Sequence, residues 1–377
     1  MIDSETVMAT GVLKVAIGKE ALADRLSLVA RGVSTRTAVL VLGGIRLRAQ
    51  DGRLELAATD MELSIRTTVD ADVDGDGEVV VPGRLLLEIA RAIPEGEVTI
   101  EQRADESSLL VSSGSYSSRL HTYAAEDFPR LPDLEAVQLH PVARESLLET
   151  ISRVSRSASR DESRPVLTGI LVRFEPGKVV MAATDSYRLA VKETPAEGPL
   201  PDLEAIIPAR ALQELVRIAA GADEVQIGLL ENHVVFGADG VWLTTRRIDG
   251  QFPNVRQLLP DQFEHEVVLP REELLEVVRR VSLMAQRNSP LRLRFGAGEL
   301  TVSAQTQDVG EARESLPAPF AADPLEIGFN AEFLRDGLES VDSQTLRFKL
   351  ISPLRPAVLE GETDDYTYLI MPIRLAG

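Results

Sequence analysis

The chain has 377 residues, 40 of them basic and 59 acidic, giving a formal net charge of -19, and it contains no cysteine. The length leaves room for two or three domains with separate cores, while the absence of cysteine excludes disulfides and thiolate metal sites. No apolar run reaches the roughly 18 residues of a membrane helix, and MIDSETVMAT has neither a basic nor an apolar leader region, so a folded, water-soluble, cytoplasmic chain with no membrane partner is expected.

From Ile17, IGKEALADRLSLVARGVSTR reads as an amphipathic helix; strands of alternating apolar residues follow, with LELAATDMELSI at 54–65. VVVPGRLLLEIARAIPEGEVTI at 79–100 introduces a second helix with Pro-Gly, and FPRLPDL starts at Phe128. The same order then returns. VARESLLETISRVSRSASR begins at Val142, VVMAATDSYRLAV covers 179–191, AIIPARALQELVRIAAGADEVQI covers 205–227, and FPNVRQLLP starts at Phe252. A third, more diverged copy opens with LPREELLEVVRRVSLMAQR at Leu269, puts Thr306 where Asp60 and Asp185 stood, and carries its second helix in IGFNAEFLRDGLESVDSQTLRF. Such self-similarity is the signature of tandem structural units. Two helices and about eight strands per copy predict α+β domains, each a sheet covered on one face. The copies divide the chain at 11–135, 136–262 and 263–377, with proline-bearing linkers near 130–141 and 258–266.

One aspartate in each of two related segments invites comparison with a two-aspartate hydrolase using Asp60 and Asp185. Such sites follow the aspartate with Thr or Ser and then Gly, whereas Met61-Glu62 and Ser186-Tyr187 follow here. A Thr-Asp pair that ends a strand and bonds nearby backbone is the favoured reading. DADVDGDGEVVV sets Asp70, Asp72 and Asp74 at calcium-loop spacing, but Val81 occupies the position that needs a bidentate glutamate, which leaves an acidic hairpin loop. His121, His140, His233 and His265 are scattered, and no metal, cofactor or catalytic motif is found.

SRVSRSASR, Ser152 to Arg160, holds three arginines and no acid. Continued as a helix from Glu145, it places Leu147, Leu148, Ile151, Val154 and Ala158 on one side and Arg153, Arg156 and Arg160 on the other. Taken alone, that is an ordinary solvated face.

Three copies in this order, the ATD, P-x-x-L-x-E-I/L and FP motifs, and the closing YLIMPIRL together resemble the bacterial β sliding clamp family, the processivity subunits of replicative DNA polymerase III; the similarity runs from about Leu13 to Leu375. The resemblance implies three tandem clamp repeats, each two helices on a curved sheet, in a ring-shaped head-to-tail homodimer, with residues 1–10 as a flexible extension. It implies a non-enzymatic clamp that encircles duplex DNA without sequence preference, gives the polymerase processivity, and receives polymerase, clamp loader and repair proteins through short peptides. The arginines of the first helices, Arg25, Arg31, Arg36, Arg153, Arg156, Arg160, Arg279, Arg280 and Arg287, with Arg164, would then meet phosphates, joined by Arg84, Arg91, Arg210 and Arg217 from the second helices. A peptide cleft would use Leu167, Thr184, Ser186, Tyr187, Arg188, Leu189, Pro253, Leu258, Pro356, Leu369, Met371, Pro372, Ile373, Arg374 and Leu375. Leu120 of one copy would meet Leu283 and Met284 of the other. Ser186-Tyr187, Gln257 and the terminal Ala376-Gly377 depart from the family pattern.

Overall fold

The computed structural model describes residues 12–35, 38–135, 137–285, 289–307, 309–363 and 365–375. Their helices are α1 (Lys19–Val29), α2 (Gly83–Ala92), α3 (Arg144–Val154), α4 (Pro165–Thr168), α5 (Ala209–Ile218), α6 (Val255–Leu258), α7 (Arg271–Ser282) and α8 (Ala331–Ser340). The six longer ones are the helix pairs that the repeats announce. The signals at their starts work as read: Pro82 and Asn330 are the N-caps of α2 and α8, and the Asn330 side chain accepts from the Glu332 and Phe333 amides.

The chain divides into two compact units, residues 1–144 with 214–247, and residues 145–213 with 248–377. The first holds a five-stranded sheet and an eight-stranded one. Four strands of the eight come from residues 44–82 and four from residues 139–246, joined where Leu63–Asp70 pairs antiparallel with Val241–Arg246. The second unit repeats the plan. Its eight-stranded sheet joins Arg188–Pro195 to Tyr366–Ile370, with Leu189 opposite Leu369, and its four-stranded sheet is built from residues 291–329. This corrects the expectation of one sheet per repeat: the middle repeat gives half its strands to a sheet with the first repeat and half to a sheet with the third.

Helix burial follows the apolar stripe, since Leu147, Leu148, Ile151 and Val154 of α3 are buried, as are Leu274, Leu275, Val278 and Val281 of α7. On the shared sheets the FP motifs do the same work twice. Phe128 packs with Val41, Leu42 and Val80 in the first unit, and Phe252 packs with Leu171, Ala182 and Ile206 in the second. The stretches read as linkers are strapped down as well, because Leu131 joins the Phe128 cluster and Leu259 and Phe263 cover Leu189, Val358 and Leu369. In the third repeat an aromatic core of Phe295, Phe320, Phe329 and Phe348 has ring centroids 5.6–6.1 Å apart. The DADVDGDGEVVV stretch is also not a loop: Asp72–Gly75 is the edge strand beside Lys14–Gly18, and Asp74 pairs with Lys14 at 2.7 Å.

Candidate functional site

The cationic stretch is built differently from its helical projection. α3 ends at Val154, Ser155–Ser157 form one 3-10 turn, and Ala158 is extended. Arg160 therefore lies beyond the helix, and Ala158 is only half-buried. Serine at 152, 155, 157 and 159, a weaker helix former than alanine or leucine, suits the early stop; Ser152, still inside the helix, bonds the Leu148 carbonyl at 2.7 Å.

Nor is the stretch unopposed. Arg153 donates to Glu149 at 2.7 Å and to Asp342 at 2.8 Å, and Arg156 pairs with Glu339 and, at 3.7 Å, with Asp336. Three of those four acids lie on or just after α8, so two of the three arginines fasten the second repeat to the third. The first unit has the same device, with Arg31 on Glu214 of α5 at 3.0 Å and Arg25 donating to the Asp239 carbonyl at 3.2 Å. Arg217 also pairs with Glu214, Arg279 pairs with Glu276 and Glu339 at 2.8 and 3.0 Å, and Arg280 pairs with Glu314 at 2.7 Å. Arg84, Arg91 and Arg160 are exposed and have no carboxylate partner among the described residues. Arg210 is exposed in the first turn of α5. Arg36 and Arg287 lie outside the described residues, as do residues 1–10 and Ala376-Gly377.

The two ATD segments make one turn twice. Asp60 Oδ1 accepts the Glu62 and Leu63 amides at 3.1 and 2.9 Å; Asp185 Oδ1 accepts those of Tyr187 and Arg188 at 2.9 and 3.0 Å. Thr59 and Thr184 donate to the carbonyls of Leu63 and Arg188 and accept the amides of Met61 and Ser186. Each carboxylate is thus committed to its own strand turn. In the third copy, Thr306 instead donates to the Met284 carbonyl at 2.6 Å and ties a strand to the end of α7.

In the second unit the ATD turn supports a mixed surface. Arg188 points into the protein: its guanidinium bonds Asp185 at 3.1 Å and Asp336 at 2.5 Å and lies over the Phe333 ring, 4.2 Å from the centroid. Leu189, Thr184 and Leu369 are buried beneath, whereas Tyr187 at the turn is 60% exposed. Beside it runs the C-terminal segment, because the Met371 amide donates to the Tyr187 carbonyl and that of Ile373 to the Gly328 carbonyl, both at 2.8 Å. A side chain at Gly328 would meet Leu375 at 2.5 Å, so glycine there lets the segment lie flat. Leu258, Met371 and Ile373 are exposed, with Leu167, Pro253, Pro356, Pro372 and Leu375 half-buried and Arg374 exposed. The expected cleft residues therefore divide into a buried floor and an apolar surface. Arg164 belongs with this group, since it donates to the Ser186 hydroxyl at 3.0 Å and pairs with Asp161 at 3.0 Å.

Leu283 caps α7 and is 80% exposed, Met284 is half-buried, and Leu120 is buried within its own sheet. Among the described residues no group of His, Cys, Asp or Glu is arranged to hold a metal ion, and no helix is long and apolar enough to cross a membrane.

Three family models match in succession: the N-terminal, central and C-terminal domains of the DNA polymerase III beta subunit, over residues 13–132, 141–254 and 256–374. The chain is 34% identical over 380 residues to the beta sliding clamp of Streptomyces coelicolor, covering 97% of this chain and all of that relative. The chain belongs to the DNA polymerase III β-subunit family. The beta sliding clamp of Synechococcus elongatus is also 34% identical, over 96% of this chain. Among solved structures, the Caulobacter crescentus clamp superposes with a TM-score of 0.92 at 27% identity, covering 97% of this chain and all of that one. The Pseudomonas aeruginosa clamp solved with griselimycin bound gives 0.88 at 30% identity, with the same coverage. This β subunit is accordingly a DNA sliding clamp with three clamp repeats, and not an enzyme.

Two features of this β subunit escape a reading of its motifs. One is the set of carboxylates, Glu214, Asp336, Glu339 and Asp342, that meets the arginines. The other is Lys192, 4% exposed and bonded to Asp365 at 2.8 Å. Neither has a local signal, because Arg31 meets Glu214, Arg156 meets Glu339 and Lys192 meets Asp365 across more than a hundred positions.

Proposed function

We propose that two copies of this chain close head to tail into a ring around duplex DNA, with the arginines of the paired helices toward the phosphates. Sheet sharing carries this reading. In both shared sheets the strand after the ATD turn pairs with the last strand of the following repeat. The strands left over are Gly310–Pro317, which follows the corresponding turn of the third repeat, and Tyr116–His121, the last of the first repeat; each is the outer strand of its sheet. Unpaired edges seek partners, and joining these two across copies uses each once per protomer, a heterologous contact that closes when its rotation suits a pair. Exposed Leu283 and adjoining Met284 would meet the Leu120 strand there.

Contact by arginine to phosphate alone is blind to sequence and sensitive to salt, which suits a ring that slides, and the acidic remainder keeps DNA off other surfaces. Arg84, Arg91 and Arg160, exposed and without a carboxylate partner among the described residues, are the readiest contacts. The surface around Tyr187, Leu258, Met371 and Ile373 would take apolar peptides of the replicative polymerase, the clamp loader and repair proteins, an exposed apolar patch at a polar rim being the usual mark of a docking site. Such a protein works in the cytoplasm.

Retention on DNA tests the reading. Protein loaded onto a closed circle should stay there and leave once the circle is cut. Equal retention on circular and linear duplex would refute topological binding.

A further inference from the structure

We infer that Glu214 and Glu339 restrain DNA affinity, each holding two arginines away from the phosphates that those arginines would otherwise engage. The inference rests on the proposed placement of these helices toward DNA. In the first unit Glu214 takes Arg31 on Oε2, at 3.0 Å, and Arg217 on Oε1. In the second unit Glu339 takes Arg156 on Oε2 and Arg279 on Oε1, the latter at 3.0 Å. The glutamates are largely covered, with side-chain exposures of 13% and 22%, while the four arginine side chains keep exposures of 39–53%. Glu214 is thus one sunken anion between two half-open cations, while the cations on Glu339 also reach Glu276, 2.8 Å from Arg279, and Asp336, 3.7 Å from Arg156.

Simple inheritance from the ancestral repeat does not account for the second triad. Arg31 and Arg156 occupy the same place, the 3-10 turn that ends the first helix of their repeat. Their glutamates do not correspond. With Pro208-Ala209 matched to Asn330-Ala331, Glu214 corresponds to Asp336, and Glu339 stands where Arg217 stood, one turn later. The second arginine also differs, coming from the same helix α5 in one triad and from α7 in the other. Asp336, the counterpart of Glu214, keeps a longer contact with Arg156 at 3.7 Å, and the short pairing comes from the new position, Glu339. Half-exposed ion pairs of this kind add little to stability, so their larger effect falls on the field a phosphate meets: around Glu214, two guanidiniums and one carboxylate present a single net charge in place of two, and Glu339 takes one further positive charge from a cluster that already holds Glu276 and Asp336. A ring that must slide gains from a shallow well of this kind, since each fully engaged phosphate adds to affinity and to the release of counterions.

The full chain carrying Glu214→Gln and Glu339→Gln is compared with the parent for binding to a mixed-sequence linear duplex across a salt series, beside an Arg84→Ala/Arg91→Ala variant that removes arginines not held by a carboxylate among the described residues. Glutamine preserves shape and removes the charge. The glutamine variant should bind on the order of tenfold more tightly at low salt, with the slope of log affinity against log salt steeper by about one for each freed phosphate contact. If the arginine variant binds less tightly than the parent but the glutamine variant matches it, the inference falls and the DNA-facing reading stands. If the arginine variant binds as the parent does, the DNA-facing reading itself has failed. Single substitutions, which leave one triad intact, measure the same slope should the double variant not fold.

Discussion

Arg188 and Asp336 are bonded at 2.5 Å, one from the strand after the second ATD turn and the other from α8, and their side chains are only 8% and 15% exposed. The pair locks the middle repeat to the third directly beneath the apolar surface that bears Tyr187 and Met371. Removing Asp336 leaves the buried Arg188 with Asp185 as its remaining carboxylate, so Asp336→Ala should lower the unfolding free energy by about 2 kcal/mol, the scale of a hydrogen bond to a charged group. The double variant Arg188→Ala/Asp336→Ala should lose less than the two single losses combined. Urea unfolding of the four proteins gives the coupling; strict additivity would mean that the two residues act separately.

Backbone strain yields the opposite sign at Met61. This residue has φ 80°, its counterpart Ser186 has φ 79°, and both occupy the turn shaped by the preceding Thr-Asp pair. A side chain in that region costs roughly 1–2 kcal/mol, only part of which is offset by the extra freedom glycine gives the unfolded chain. Met61 is mostly exposed and leaves no cavity. Met61→Gly should therefore raise stability by about 0.5 kcal/mol, read as a higher urea midpoint at unchanged slope.

Acid should loosen the second unit through its covered carboxylates. Burial pushes the Glu339 and Asp365 pKa values up, but the hydrogen bonds from Arg156 and Arg279 to the first, and from Lys192 and Thr363 to the second, outweigh it and hold both below their usual values. A carboxyl whose pKa is lower folded than unfolded contributes stability that is complete above its unfolded value, about pH 4, and is lost as pH falls through the folded one. Asp365→Asn should thus be less stable than the parent at neutral pH, and the gap should shrink as the pH drops below about 4. A gap independent of pH would assign the loss to packing.

Leu283 offers a test of assembly separate from folding. Its exposure means that Leu283→Asp should leave the thermal midpoint of the dilute protein almost unchanged while light scattering shifts from dimer to monomer. A dimer that survives this change would place the contact elsewhere.

How much of this was legible beforehand follows from the range of each interaction. The helix stripes, the Pro-Gly and Asn-Ala starts, the FP motifs and the role of the two aspartates depend on neighbours within a few positions, and the sequence displays those directly. The pairing of Leu63–Asp70 with Val241–Arg246 depends on which strand edge meets which, and alternating burial looks the same whatever the partner. The fate of the arginines was equally hidden. Arg31 and Arg156 each find a glutamate 183 residues away, so a stretch without acid in the chain is not one without acid in space. The stop of α3 at Val154 was available in principle, since serines crowd SRVSRSASR, but the arginine spacing suited a longer helix.

The docking surface is best tested at its exposed residues and not by shortening the chain. Removing Met371 and everything after it would strip the amide bonds to Tyr187 and Gly328 and the cover that Leu375 provides over Gly328, so lost binding could reflect a disturbed strand end. Met371 and Leu258 are exposed, and methionine suits a surface that accommodates several partners because its side chain is flexible and polarizable. Met371→Glu and Leu258→Glu should each weaken short peptides carrying a glutamine followed by paired large apolar residues by at least about 1 kcal/mol, the scale of an interface anchor. Both should leave the dimer and its unfolding midpoint unchanged. Arg160→Ala, in the same unit but assigned to DNA, should leave peptide affinity at the parent value while weakening duplex binding. Calorimetry that finds the two glutamate variants binding peptide as the parent does would remove this surface from the docking site, leaving Leu189 and Leu369 as core residues only.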